Sequence, residues 1–103
     1  HKIMDLKCPG SGESHRNRWA NLEHIGPRDE IKFVLADRTD YEWMRAAVRE
    51  RRLVERTANL LASTVFGRLA ARQLVAWVLE DKVPVRVQLQ MHKYVWAGDA
   101  TGV

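Results

Sequence analysis

Residues Val85 to Tyr94 read Val-Arg-Val-Gln-Leu-Gln-Met-His-Lys-Tyr. Strict alternation puts Val85, Val87, Leu89 and Met91 on one face of a β-strand and Arg86, Gln88, Gln90 and His92 on the other. In an antiparallel sheet such a polar row simply faces water, whereas in a parallel sheet flanked by helices it lines an enclosed space. What precedes the strand decides between the two.

Working back from it, Pro84 separates the strand from a helix predicted over Ala70 to Asp81, marked by Leu74, Trp77 and Val78. Asn59 to Val65 reads as a strand with Leu60 and Ala62 opposed to Asn59, Leu61 and Ser63, closed by Phe66-Gly67. Before that, Tyr41, Met44, Ala47 and Val48 recur at helical spacing to about Leu53, and Thr39 with Glu42 three residues on reads as a capping box. Glu30 to Ala36 is a strand with Ile31, Phe33 and Leu35 on one face and Glu30, Lys32 and Val34 on the other. Lys2 to Cys8 is the first strand, stopped by Pro9-Gly10-Ser11-Gly12; a short helix around Trp19, Leu22 and Ile25 ends at Gly26-Pro27. The order β-α-β-α-β-α-β requires parallel pairing and right-handed crossovers, so the predicted class is α/β with a parallel sheet.

The chain has 103 residues, enough for one core but short of the ~250 of a complete α/β barrel. It starts at His1, with a strand directly after, so it is expected to begin in mid-fold. With 46% hydrophobic and 29% charged residues the composition is that of a globular domain. No apolar run reaches the ~20 residues of a membrane span and no signal-peptide pattern is present, so a cytoplasmic location without membrane association is expected. The net charge of +4 is spread along the chain among acids, without aromatic stacking positions, which argues against a nucleic-acid partner. Cys8 is the single cysteine, so this chain alone makes neither an internal disulfide nor a multi-cysteine metal site.

On the face away from the helices the alternation gathers Asp5, Lys7, Glu30, Lys32, Asn59, Ser63, Arg86, Gln88, Gln90 and His92. A packed barrel interior is instead dominated by branched apolar side chains. The polar row is expected to line a ligand-filled lumen, with His92, near the C-terminal end of its strand, as the sharpest candidate. Solvent-facing positions, or an ion-pair network of Asp5, Lys7, Glu30 and Lys32, would produce the same pattern.

Met4 to Glu13, Asp29 to Val34, Ala36 to Arg38 with Asp40 to Trp43, and Gln88-Leu89-Gln90-Met91-His92-Lys93-Tyr94 resemble, in order, the C-terminal half of 7-carboxy-7-deazaguanine synthases. The resemblance implies that residues 1–103 are the C-terminal part of an incomplete, partial TIM-like radical S-adenosylmethionine barrel. It implies conversion of 6-carboxy-5,6,7,8-tetrahydropterin to 7-carboxy-7-deazaguanine with loss of ammonia, on the route to queuosine. The implied cofactors are S-adenosylmethionine, a [4Fe-4S] cluster and Mg²⁺. The implied partners are the missing N-terminal half, which holds the cluster, and a second copy in a homodimer.

Residue by residue, Asp5, Leu6 and Lys7, and Ser63, Thr64, Val65 and Phe66, match segments that contact S-adenosylmethionine. His92 matches a substrate-contacting histidine, with Gln90 beside it. Thr64 stands where the family often has proline, and no cluster ligand, Mg²⁺ ligand or catalytic residue is assigned to this chain. A non-enzymatic α/β binding module that has lost the radical chemistry is the other reading of the same strands.

Overall fold

The computed structural model describes residues 1–13, 17 and 19–89. Four parallel strands, β1 (Ile3–Leu6), β2 (Glu30–Leu35), β3 (Leu60–Thr64) and β4 (Arg86–Val87), lie in sequential order in one sheet. Helix α1 (Arg38–Glu50) joins β2 to β3, and helix α2 (Ala71–Asp81) joins β3 to β4. Between β1 and β2 the chain makes 3-10 turns at Pro9–Ser11 and Trp19–His24; the latter replaces the short helix predicted there. The α/β class with an all-parallel sheet is thus the one expected.

Crossovers between parallel strands are right-handed, so a strand order that never reverses keeps its helices on one face. The side-chain rows agree. Leu6, Phe33, Ala62 and Val87 are in register across the sheet and pack into the core with Met44, Leu74 and Val78. Asp5, Lys32, Leu61 and Arg86 form the adjacent row, on the face turned away from the helices. Ile31, Phe33, Leu35, Tyr41, Met44, Leu53 and Leu74 are each 0% exposed, and full burial of a large apolar side chain contributes about 1.5–3 kcal/mol.

The helices begin and end differently from expectation. Asp37, not Thr39, caps α1: Asp37 is extended (φ −162°) and its carboxylate accepts from the Asp40 N–H at 2.9 Å. Thr39 lies inside the first turn, and Glu42 pairs with Arg38 at 2.7 Å and Arg45 at 2.8 Å rather than closing a box. The helix stops at Glu50 because Arg52 is left-handed (φ 50°), which turns the chain into a 3-10 segment, Leu53–Glu55, that buries Leu53. The two helices are locked together at Tyr41, whose hydroxyl reaches the Asp81 carboxylate and, at 3.0 Å, the Trp77 carbonyl. Burial and that carboxylate push the Tyr41 phenol up, so it stays a donor. Arg45 reaches Asp81 at 3.1 Å, and the Arg38 guanidinium lies 4.8 Å from the Tyr41 and Trp77 rings.

β4 is shorter among the described residues than the predicted Val85 to Tyr94. Its ladder extends through the Gln88 N–H, which donates to the Ala62 carbonyl at 2.8 Å. Val85 and Val87 are half-buried and Arg86 and Gln88 exposed, as the alternation requires; Leu89, expected with the apolar face, is 48% exposed. Gln90, Met91, His92, Lys93 and Tyr94 lie outside the described residues.

Two buried aspartates pin the strands at opposite ends. Asp29 accepts from the Lys2 N–H at 2.7 Å and the Gly26 N–H at 2.8 Å, fixing the start of β1 beside β2. Asp40, 1% exposed, accepts from the Gly10 N–H at 2.7 Å and the Ala36 N–H at 2.8 Å, tying the turn after β1 and the end of β2 to α1.

Asp40→Ala strands two buried N–H groups, each costing about 1–3 kcal/mol, and is expected to lower stability in urea unfolding by about 2–5 kcal/mol. A change below about 0.5 kcal/mol, ordinary for a surface site, would contradict the pinning role.

The Gly26 and Lys2 amides hold the Asp29 carboxyl below its ordinary value. A depressed folded pKa contributes stability above the unfolded value of ~3.9 that is lost as pH falls through the folded one. The melting-temperature gap between the native chain and Asp29→Asn should therefore shrink from pH 5 to pH 2. A gap that does not change with pH would contradict it.

Candidate functional site

Parallel α/β sheets place their chemistry at the C-terminal ends of the strands, where loops leave the sheet. Here that end is shaped first by the turn after β1. Ser11 Oγ accepts from the Glu13 N–H at 3.1 Å and donates to the Cys8 carbonyl at 2.7 Å, and Gly12 takes the left-handed φ of 76°. Gly10 meets the Asp40 carboxylate so closely that an added Cβ would lie 2.5 Å from Oδ2. Asn17 clamps the other side of the strand end, accepting from the Lys7 N–H at 2.8 Å and donating to the Lys7 carbonyl at 3.0 Å.

These loops enclose a cavity of about 350 Å³ lined by Asp5, Lys7, Ser11, Val34, Val65 and Arg68, among others. A second cavity of about 380 Å³, lined by Thr64, Phe66, Gly67 and Leu69, shares Arg68 with the first. Both volumes fall in the range of small-molecule sites. A larger groove of about 650 Å³ runs between β1 and the Trp19–His24 turn, lined by Lys2, Asp5, Asn21 and His24. It runs along the outer edge of β1 from Lys2 to Lys7 and shares Asp5, Leu6 and Lys7 with the first cavity. The pair of cavities, confined to the strand ends and reaching Thr64 on β3 and Val65 just after it, is the better candidate.

Lys7 Nζ lies 2.8 Å from Asp5 Oδ2 on the same strand face, and this hydrogen bond raises the Lys7 pKa, keeping the ammonium charged. Glu30 pairs with His1 at 2.6 Å and Lys7 with Asp5, and among the described residues Lys32 makes no ion pair, so the alternative reading as a four-residue network of Asp5, Lys7, Glu30 and Lys32 does not hold. Asn59 is also structural: its amide donates to the Pro27 and Asp29 carbonyls at 3.3 and 3.2 Å. Leu61 and Val34 interrupt the polar row, which is mixed rather than polar throughout.

Of the residues matched to S-adenosylmethionine contacts, Asp5, Leu6, Lys7 and Val65 line the first cavity, and Thr64 and Phe66 line the second. Two segments nearly sixty residues apart in sequence thus meet at one end of the sheet. The Leu6 side chain is 1% exposed and packs in the core, and Ser63, 7% exposed, lines neither cavity. Gln90 and His92 lie outside the described residues. The sequence pattern did not mark Gly10, Ser11, Asp40 or Arg68 as site residues; the nearest signal was the glycine beside each of Ser11 and Arg68, read only as strand endings.

Among the described residues no group of three His, Cys, Asp or Glu side chains is placed to hold a metal ion. Cys8 is 1% exposed, and burial, aided by Asp40 and Asp5, pushes its thiol up to about 12, so it offers no thiolate. Neither a cluster nor Mg²⁺ fits the described residues. Among them, too, no helix is long and apolar enough to cross a membrane.

Comparison with known proteins bears out the likeness read from the sequence. The chain is 40% identical, over 99% of its length, to a 7-carboxy-7-deazaguanine synthase of Koribacter versatilis, spanning 50% of that protein. It is 39% identical over 100% of its length to the one of Chlorobaculum tepidum, of which it spans 48%. To the one of Leptospira interrogans it is 40% identical over 97% of its length, spanning 43%. The chain therefore spans about half the length of the curated relatives it matches. No family model and no solved structure matches it.

Proposed function

We propose, from the relation of this chain along almost its whole length to about half of each matching 7-carboxy-7-deazaguanine synthase, that it is the C-terminal part of such an enzyme. In this reading the sheet is one arc of a partial radical S-adenosylmethionine barrel. The sequential strand order, with both helices of the described residues on one face, supports that arc, since a doubly wound sheet would carry helices on both. The complete protein converts 6-carboxy-5,6,7,8-tetrahydropterin to 7-carboxy-7-deazaguanine with loss of ammonia, as a cytoplasmic homodimer.

The observation that carries the proposal is the meeting of residues 5–7 and 64–66 around adjoining cavities at the strand ends. When bound there, S-adenosylmethionine supplies the radical chemistry together with a cluster held by the other half. The work of this chain is to bind and orient, which enzymes use to convert an encounter into a reacting geometry. Lys7, fixed by Asp5 and by the Asn17 clamp on its backbone, offers a positive hydrogen-bond donor in a defined place. Val34 and Val65 supply apolar wall for a flat ring. Gln90 and His92 are proposed to hydrogen-bond the pterin.

The experiment is an anaerobic assay after iron-sulfur reconstitution, run on the complete protein and on this chain alone. The complete protein should form 7-carboxy-7-deazaguanine and ammonia in equal amounts, and the chain alone should form neither. Absence of product from the reconstituted complete protein, or turnover by the isolated chain, would overturn the proposal.

A further inference from the structure

We infer that Arg68 is the carboxylate-recognising residue of the site at the strand ends, an inference that rests on the ligand-binding reading above. Its placement follows from the chain path. The Val65 N–H continues the β3 ladder by donating to the Leu35 carbonyl at 2.8 Å, and the Arg68 and Leu69 N–H groups then turn back onto the Val65 carbonyl at 3.0 and 3.3 Å. Gly67, at φ 82°, makes that reversal without the steric cost a side chain would incur. The turn carries Arg68 over the strand ends, where it is the one residue common to both cavities.

Among the described residues Arg68 is also the one cation lining either cavity that has no counter-charge. Of the charged side chains lining the first cavity, Lys7 and Asp5 neutralise each other at 2.8 Å, and both Asp40 oxygens are occupied by backbone N–H groups. Among the described residues Arg68 has no ion-pair partner. A guanidinium presents a planar fork that pairs with a carboxylate through two parallel hydrogen bonds, and here it stands beside Val65, which lines the first cavity, and Phe66, which lines the second. An exposed arginine is often merely solvated, and what separates the two cases is dependence on the ligand's carboxylate. The proposed cofactor and the proposed substrate each carry one.

The test is calorimetric titration of the complete protein and of its Arg68→Gln and Arg68→Lys variants with two ligand pairs. One pair is S-adenosylmethionine and decarboxylated S-adenosylmethionine; the other is 6-carboxypterin and unsubstituted pterin. Arg68→Gln should weaken one carboxylate-bearing ligand by about tenfold or more, while its carboxylate-free counterpart changes by less than about twofold. Arg68→Lys, which keeps the charge but not the fork, should fall between. The pair that shows the loss identifies whose carboxylate is bound. Equal losses within both pairs, or no loss in either, would overturn the role of Arg68 while leaving the proposed function standing. Absence of binding of all four ligands to the unaltered protein would overturn both. Arg68 is exposed on a loop, so the variants should melt as the parent does.

Discussion

The buried carboxylate of Asp40 is the constraint on which the upper end of the molecule depends. A carboxylate at 1% exposure must be fully hydrogen-bonded, and its partners are the Gly10 and Ala36 N–H groups. Those partners belong to the turn after β1 and to the last residue of the apolar run through β2, while Asp40 itself sits in the first turn of α1. One side chain therefore sets the distance between two loops and a helix. Gly10 is required for the approach, because any Cβ would strike the carboxylate. With these loops held, Ser11, Val34 and Lys7 face a common space rather than fanning out into solvent.

The second constraint is topological. A sheet that advances from β1 to β4 without reversal, with right-handed crossovers, has one helix-covered face and one face left to other work. Packing of α1 against β2 and the Trp19–His24 turn secures the covered face: Phe33 meets the Trp43 ring edge-on with centroids 6.3 Å apart, Trp43 lies against Trp19 at 5.9 Å, and the Arg51 guanidinium lies 4.1 Å from the centroid of the Trp19 ring. The other face keeps the row Asp5, Lys32, Leu61 and Arg86. Burial of the first face anchors the strands whose charged side chains stand on the second and at the strand ends.

The strands were legible because alternation with period 2 is enforced by burial on one side, and Ile31, Phe33 and Leu35 show it without exception. The start of α1 was not. Thr39 with Glu42 and Asp37 with Asp40 both fit an N-terminal capping pattern, and only the extended backbone at Asp37 decides between them. Ser63 falls on the expected face yet is buried beside Val34, because the period gives direction and not depth. Among the site residues, those of the two matched segments were found through likeness to a family. Gly10, Asp40 and Arg68 acquire meaning only when turns that the sequence marks as mere breaks are brought over the strand ends. The substrate-side residues Gln90 and His92 rest on the sequence alone.

The central claim is that residues 5–7 and 64–68 form one ligand site although they belong to separate strand ends. Amide hydrogen exchange of the complete protein, with and without S-adenosylmethionine, tests it most directly. Slowed exchange in both segments together, with residues 49–56 at the opposite end of the sheet unchanged, is the result this account predicts. Slowing confined to one segment, or found only at the opposite end, would contradict it.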